Sequence, residues 1–482
     1  MKHEWSNRLT FILAAVGSAV GLGNIWKFPY ITGEYGGGVF IFAYLVCICL
    51  IGLPIMLAEI GLGRRGKQSP VNTMSQLALE AGGHPAWRLL GWSGMVAGCL
   101  ILSYYSVIAG EVMGYSFRAS SGIFNHQTAD GIKGIYNSFV SDPEKLLAWH
   151  TLFMALTVLA VAKGVKGGLE KTVSFLMPAL FILLVFLVFY AMTTDGFEQA
   201  IEFMFTPDTD KFFYARNELG HYLLDANDSK IFTWKPMMVA MGHAFFTLSL
   251  GMGAIMMYGS YLNRHVSIGQ MTLVIIVLDT LVALLAGLAI FPLVFANGLN
   301  PAAGPGLIFE TLPLAFGSMP GGTFIGALFF ILLFFAALTS AISLIEPTIA
   351  WLIESKGLRR IKASVVTGVT VWFIGLATIF SMKGVTIGDI IASLFGDIEL
   401  NSGIFKYSFF HIIDFVTASI MLPVGGLLIA LFAGWVMHQD STEREFSFKN
   451  KYTYLAWQTM VRYVSPFLVL IVFLNIVGIF KI

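Results

Sequence analysis

Gly17-Ser18-Ala19-Val20-Gly21-Leu22-Gly23-Asn24 interrupts the first long apolar run of the chain, residues 9–30. Three glycines fall within seven positions, and Ser18 and Asn24 stand among them. Glycine lowers the cost of leaving helical geometry. In water such a stretch is an ordinary loop. In hydrocarbon each freed amide or carbonyl costs several kcal/mol until something satisfies it. The meaning of these eight residues therefore depends on the solvent around them.

Composition identifies that solvent. Of 482 residues, 57% are hydrophobic and only 12% are charged, with mean hydropathy +0.78. Soluble domains carry about 25% charged residues, and a larger core would not remove the need to solvate the surface. A bilayer accepts that surface, and 42 phenylalanines suit lipid-facing helices. The net charge of +1 gives no field for nucleic acid. Cys47, Cys49 and Cys99 all lie in apolar stretches, so no disulfide framework or zinc spacing is available. The run after Lys2 and Arg8 continues through Phe28 without a small-residue cleavage site, so it is a retained span rather than a signal peptide.

A helix needs about 20 apolar residues to cross the hydrocarbon. Eleven candidates meet that length: 9–30, 38–62, 88–117, 147–163, 169–193, 236–261, 270–297, 321–355, 362–380, 408–437 and 455–480. They fill a single transmembrane domain, 1–482, with no separate soluble domain. Lys and Arg collect in alternate loops, including Arg64, Arg65 and Lys67, Lys163 and Lys166, Arg264, Arg359 and Arg360, and Arg444. The positive-inside rule then puts these loops and the N-terminus in the cytoplasm. The long loop 194–235 leans acidic and falls outside.

A second interruption lies five spans later, at Phe245-Phe246-Thr247-Leu248-Ser249-Leu250-Gly251-Met252-Gly253. One glycine-rich helix can be explained by close packing. Two, at positions 1 and 6 of a 5+5 layout, match the discontinuous helices that inverted repeats place around a midplane site. The repeats would cover about 9–193 and 236–437, with an extra helix at 455–480. Unwound carbonyls and side-chain oxygens suit a hard cation, while half-helix N-termini receive a carboxylate. Thr339-Ser340 adds adjacent hydroxyls in the eighth span, although such pairs also back-bond to the preceding turn. Glu59, Glu111, Asp279, Glu346 and Asp414 lie in or near spans. An ionised group there costs at least about 2.5–3.5 kcal/mol at the centre. Asp279, with apolar runs on both sides, is read as an ion ligand or charge compensator.

Four stretches carry a resemblance: Gly17–Pro29 (GSAVGLGNIWKFP), Tyr104-Tyr105, Phe245–Gly253 (FFTLSLGMG) and Phe334–Pro347 (FFAALTSAISLIEP). Through them the chain resembles the neurotransmitter:sodium symporter family, and in particular its bacterial LeuT-like amino acid transporters. The resemblance implies an all-α integral membrane protein of the LeuT fold, a 5+5 inverted repeat with broken helices 1 and 6. It implies two sodium ions. The first would be held by the Ala19 carbonyl, Asn24, Thr247, Asp279 and the substrate carboxylate. The second would be held by the carbonyls of Gly17, Val20 and Ala336 and the hydroxyls of Thr339 and Ser340. The substrate would lie among Ser18, Ala19, Gly21, Gly23, Ile101, Tyr105, Phe246, Thr247, Ser249, Met252, Ser340 and Leu344. Tyr105 would donate to its carboxylate and Phe246 would close the pocket.

The resemblance also implies gates. Lys27 and Asp414 would pair outside, and Lys2 and Glu354 inside with Trp5 and Tyr261 in support. Gly168 and Pro178 give the spacing that lets the fifth span of related transporters unwind. Monoamine carriers have Asp where Gly21 stands, so Gly21, uncharged and leaving room, implies a substrate with its own carboxylate, a neutral and apolar amino acid. Asp279 stands where Asn is usual, which implies independence from chloride. Glu346 replaces an amide, in a role left open. The expected protein is a sodium-coupled amino acid importer, monomer or weak dimer, in a bacterial inner membrane, and not an enzyme. A proton-coupled carrier of the same fold and an ion channel stay open as alternatives. Gly61–Gln68 (GLGRRGKQ) narrowly misses the phosphate-binding loop pattern, follows a span rather than a strand, and is read as a basic cytoplasmic loop.

Overall fold

A computed structural model describes residues 5–217, 220–225, 227–301, 306–382, 407–446 and 450–476. The chain is helical almost throughout these residues, and strand pairing among them is limited to isolated bridges. The first break is where the sequence puts it. Helix α1 (Arg8–Ala19) is capped by the Asn7 side chain, which accepts from the Thr10 amide, and ends at Val20 in extended geometry. Helix α2 (Gly23–Glu34) restarts at 51° to it.

There follow α3 (Gly38–Gly66), the short α4 (Pro70–Glu80), α5 (Pro85–Ser120), α6 (Pro143–Ala162) and α7 (Val165–Ala191), with Pro178 inside the last. The second half contains α8 (Lys235–Thr247), α9 (Ala254–Ser260), α10 (Ile268–Ala296), α11 (Gly322–Lys356), α12 (Arg360–Ser381), α13 (Phe409–Val436), the short α14 (Gln439–Phe446) and α15 (Lys451–Asn475).

Nine of the described helices are long and apolar enough to cross a bilayer, or ten if α1 and α2 make one bent span. The expected break in the sixth segment, 236–261, is present, and it takes that segment out of this count of unbroken helices. Its halves have 13 and 7 residues, and neither reaches the ~20 needed to cross alone. Leu248–Gly253 between them is non-helical. The other ends agree with expectation to within four residues, except the expected end at 480, which lies outside the described residues. The loop 194–235 is more ordered than its composition indicates. It holds helices Phe197–Phe205 and Thr209–Phe213 and a set of bridges such as Tyr214 with Phe232.

The core runs along α11 and α5, which pack on each other over much of their length. Helix α1 lies against α7, α10 and α11, α8 packs on α3, and α9 is pressed onto α3 as well. Both breaks are thus buried at the centre of the bundle, away from lipid. That is the only place where irregular backbone is tolerated at membrane depth.

Candidate transport site

The second break is held by the protein's own groups. Gly251 and Gly253 take φ of +80° and +76°, a region that side chains rarely adopt. Ser249 takes φ +53° despite its side chain, at a cost of roughly 1–2 kcal/mol. Its hydroxyl donates to the Ser18 carbonyl at 2.9 Å, which ties the two breaks together and offsets that strain. The freed Gly251 amide donates to Glu59 Oε1 at 2.5 Å, from a carboxylate fully buried on α3.

The first break closes on Asn24. Its Oδ1 accepts from the Gly21 amide at 3.0 Å, and its own amide donates to the Gly21 carbonyl at 3.2 Å. Its Nδ2 donates to Asp279 Oδ1 at 2.8 Å. The Thr247 hydroxyl reaches both Asp279 oxygens, at 3.2 and 3.1 Å, and Tyr44 reaches Oδ2 at 3.5 Å. The three side chains expected at the first ion position therefore meet, with Asn24 and Thr247 both on the buried carboxylate of Asp279. Tyr44 joins them without any sequence signal, since a tyrosine in an apolar run reads as a packing aromatic. The fourth expected protein ligand, Ala19, lines the adjoining cavity.

A second oxygen cluster lies on the other side of α1. Ser340 Oγ is 3.4 Å from the Gly17 carbonyl oxygen and 3.2 Å from that of Val20. Thr339 back-bonds within its own helix, to the carbonyls of Phe335 at 3.1 Å and Ala336 at 3.0 Å. A β-carbon placed on Gly17 would stand 3.2 Å from Thr339 Cβ, so that hydroxyl-bearing turn abuts the break. All five expected residues of this second position lie together. Carbonyls, hydroxyls, an amide and one carboxylate form a donor set for a hard cation rather than a soft one.

Between the clusters lies a cavity of about 350 Å3 of empty space. All twelve residues expected to contact substrate line it, together with Leu22, and the lining has no charged side chain. Tyr105 marks its polar end. Its hydroxyl accepts from the Leu22 amide at 3.4 Å, which leaves its own proton free to donate. Gly21 has a tighter role than the sequence implied. A β-carbon there would lie 2.6 Å from Ser340 Oγ and 3.2 Å from the Tyr105 hydroxyl, so the position offers no spare room. Gly23 likewise lets the Phe246 ring approach, at 3.0 Å from its missing β-carbon.

Phe246 and Tyr105 also form the floor of a wider vestibule of about 1110 Å3, whose walls include Lys27 and Asp414. These two were expected to pair. Among the described residues no ion pair joins them. Lys27 Nζ instead sits 5.0 Å from the centre of the Phe246 ring, and Asp414 accepts from the Tyr104 hydroxyl at 3.1 Å. The separation leaves the vestibule open above the Phe246 lid.

The opposite end is closed. Trp5 donates from its indole to the Tyr258 carbonyl at 3.0 Å and from its amide to the Tyr261 carbonyl at 3.1 Å. Its ring meets both tyrosines edge-on. Ser6 donates twice to Glu170, at 2.7 Å each, fastening the N-terminal segment to α7. Lys2 lies outside the described residues. Its expected partner Glu354 accepts from the amide and hydroxyl of Ser69 and from Asn72. Glu346 acquires a definite place: it is fully buried, forks onto Arg360 at 3.0 and 2.6 Å, and accepts from Tyr261 at 2.8 Å. The sequence left Glu346 open because its cation starts the next helix, across the Gly357 turn.

Two broken helices meeting around an apolar cavity, inside a bundle of membrane-length helices, define the architecture of a secondary transporter. Comparison with known proteins agrees. The chain matches the sodium:neurotransmitter symporter family over residues 2–130 and 137–481. It is 34% identical to an uncharacterized sodium-dependent transporter, YhdH, of Bacillus subtilis (strain 168), across 99% of this chain and 98% of that protein. It is 31% identical to an uncharacterized sodium-dependent transporter of Haemophilus influenzae, across 98% of each. The crystal structure of MhsT in complex with L-phenylalanine superposes with TM-score 0.85 at 38% identity, covering 99% of this chain and 100% of that one. The chain belongs to the sodium:neurotransmitter symporter family and is a multi-pass, sodium-dependent symporter of the LeuT fold.

Proposed function

We propose that this protein imports a neutral, hydrophobic amino acid together with two sodium ions, without chloride, across a bacterial inner membrane. The observation that carries this reading is the uncharged cavity bounded by the Tyr105 hydroxyl at one end and Ile101, Met252 and Leu344 elsewhere. A zwitterion's carboxylate fits beside Tyr105 and the start of α2, where the helix N-terminus favours a negative charge. Its side chain then meets only apolar and small groups. The L-phenylalanine bound to MhsT, at 38% identity, supports an apolar substrate of that size.

In this reading the first sodium sits by Asn24, Thr247, Asp279 and the Ala19 carbonyl, and the substrate carboxylate completes its shell. The second sits between Gly17, Val20 and Ala336 carbonyls and the hydroxyls of Thr339 and Ser340. Sharing one ion with the substrate couples their binding directly. The fixed carboxylate of Asp279 supplies the negative charge that would otherwise have to come from an anion. Phe246 then closes over the cavity as Lys27 and Asp414 draw together, and the Trp5 clasp opens afterwards. Gly168 and Pro178 lie where unwinding of α7 would admit water to the second ion. The 5+5 repeats, about 9–193 and 236–437, provide the two bodies that rock.

The energetics suffice. Two sodium ions with a zwitterion carry about two charges inward, worth about 4.6 kcal/mol at 100 mV. That supports roughly three decades of accumulation before any sodium gradient. Arg64, Arg65, Arg264 and Arg444 come together on one face, which supports the N-terminus-inside orientation. Binding of each of the twenty amino acids, read as a shift of the unfolding temperature with and without sodium, tests the reading. Sodium-dependent shifts confined to apolar amino acids are expected. Equal shifts in sodium-free buffer would contradict it.

A further inference from the structure

Three consecutive residues near the N-terminus dock onto three different elements. Trp5 donates to the carbonyls of Tyr258 and Tyr261, at the end of α9. Asn7 caps α1, accepting from the amide and the hydroxyl of Thr10 at 2.8 and 3.0 Å. Ser6, between them, reaches α7: its amide donates to Glu170 Oε1 and its hydroxyl to Oε2. One exposed serine thus takes both oxygens of a buried carboxylate. The neighbouring cations Lys163, Lys166 and Lys171 are exposed, and among the described residues no ion pair joins any of them to Glu170.

The part of α7 that Ser6 holds is the weakest part of that helix. Gly164, Gly167 and Gly168 fall within five residues of its start, and glycine is a poor helix former. The first turn, Val165–Leu169, is wound wide. The amides of Gly168 and Leu169 share the Gly164 carbonyl, at 3.0 and 3.1 Å, and the Glu170 amide returns five residues to Val165. Such turns recur at functional sites. Gly168 is required by packing, since a β-carbon there would stand 2.0 Å from the Ala160 carbonyl oxygen of α6. Seven residues beyond Glu170, about 10 Å along the helix, Met177 abuts the second oxygen cluster. Its sulfur lies 3.1 Å from where a β-carbon on Gly17 would be.

We propose that Ser6 and Glu170 form a latch that makes release of the Trp5 clasp and unwinding of the first turn of α7 a single step. The latch rests on the transport cycle proposed above, in which both events open the inner end. Neither side chain is among the expected ion or substrate contacts, so both are positioning residues. While Trp5 holds α9, Ser6 fixes Glu170, and the carboxylate pins a turn whose glycines and long bonds hold it poorly. When Trp5 leaves, Ser6 leaves with it, and that turn loses its side-chain tether at the same moment. Water then gains a route along α7 toward the second oxygen cluster.

Hydrogen exchange of the purified full chain in sodium-free detergent solution, read by mass spectrometry over residues 5–12 and 165–176, tests the latch. In Ser6→Ala both stretches should exchange about tenfold faster than in the unaltered protein, because a hydrogen bond to a carboxylate is lost. Glu170→Gln should accelerate both as well. Ser6→Thr keeps the amide and the hydroxyl and should restore protection in both. Lys171→Gln, an exposed charge beside Glu170, should leave both unchanged. Acceleration of one stretch without the other, an unchanged rate in Ser6→Ala, or the same acceleration in Ser6→Thr or Lys171→Gln would overturn the proposal. The transport cycle is checked separately: sodium should slow exchange of 165–176 in the unaltered protein, and no slowing would count against the cycle rather than the latch.

Discussion

The two oxygen clusters beside α1 are built on different principles. One gathers Asn24, Thr247 and Tyr44 around the buried carboxylate of Asp279. The other brings backbone carbonyls of Gly17 and Val20 against Ser340 and has no formal charge. A carboxylate can attract a cation before substrate arrives and compensates charge permanently. A ring of carbonyl and hydroxyl dipoles depends on geometry, and opens as soon as α1 moves from α11. In the proposed function the charged cluster would couple to substrate and the neutral cluster would control the conformation.

Several substitutions break or sharpen this contrast. The largest effect is expected at Asp279. Asp279→Ala leaves the cluster without its charge, and sodium-driven uptake in proteoliposomes should fall at least about a hundredfold. Asp279→Asn should restore part of that uptake only when chloride is present, whereas the unaltered protein should transport equally in chloride and gluconate. Ser340→Ala removes the hydroxyl that joins α11 to the carbonyls of Gly17 and Val20. The sodium concentration for half-maximal uptake should rise about tenfold, with the chloride response unchanged. The smallest effect belongs to Lys27→Gln. Among the described residues Lys27 has no carboxylate partner and lies over the face of Phe246, so uptake should change by about twofold.

Much of this was legible in the sequence, for a physical reason. Glycines, hydroxyls and a carboxylate are rare in apolar spans, so Gly17–Asn24, Thr247–Gly253, Thr339-Ser340 and Asp279 stand out from their surroundings. Residues that contribute through contacts alone do not. Tyr44 resembles any buried aromatic, and Glu59 gives no sign that it will cap the Gly251 amide. The Glu346–Arg360 pair is concealed by the turn between two spans. The sixth span shows both sides. Hydropathy runs smoothly through 236–261, and only the residue types, Thr247, Ser249, Gly251 and Gly253, mark where the backbone divides into two short helices. The tight clearance at Gly21 is invisible in the sequence, because it depends on where Ser340 and Tyr105 fall in the fold.

The most direct test of the account is uptake of labelled L-phenylalanine into proteoliposomes under imposed gradients. Accumulation should require an inward sodium gradient, grow when the interior is made negative, persist without chloride and vanish in Asp279→Ala. Accumulation at full rate in sodium-free buffer, driven by a proton gradient alone, would contradict it.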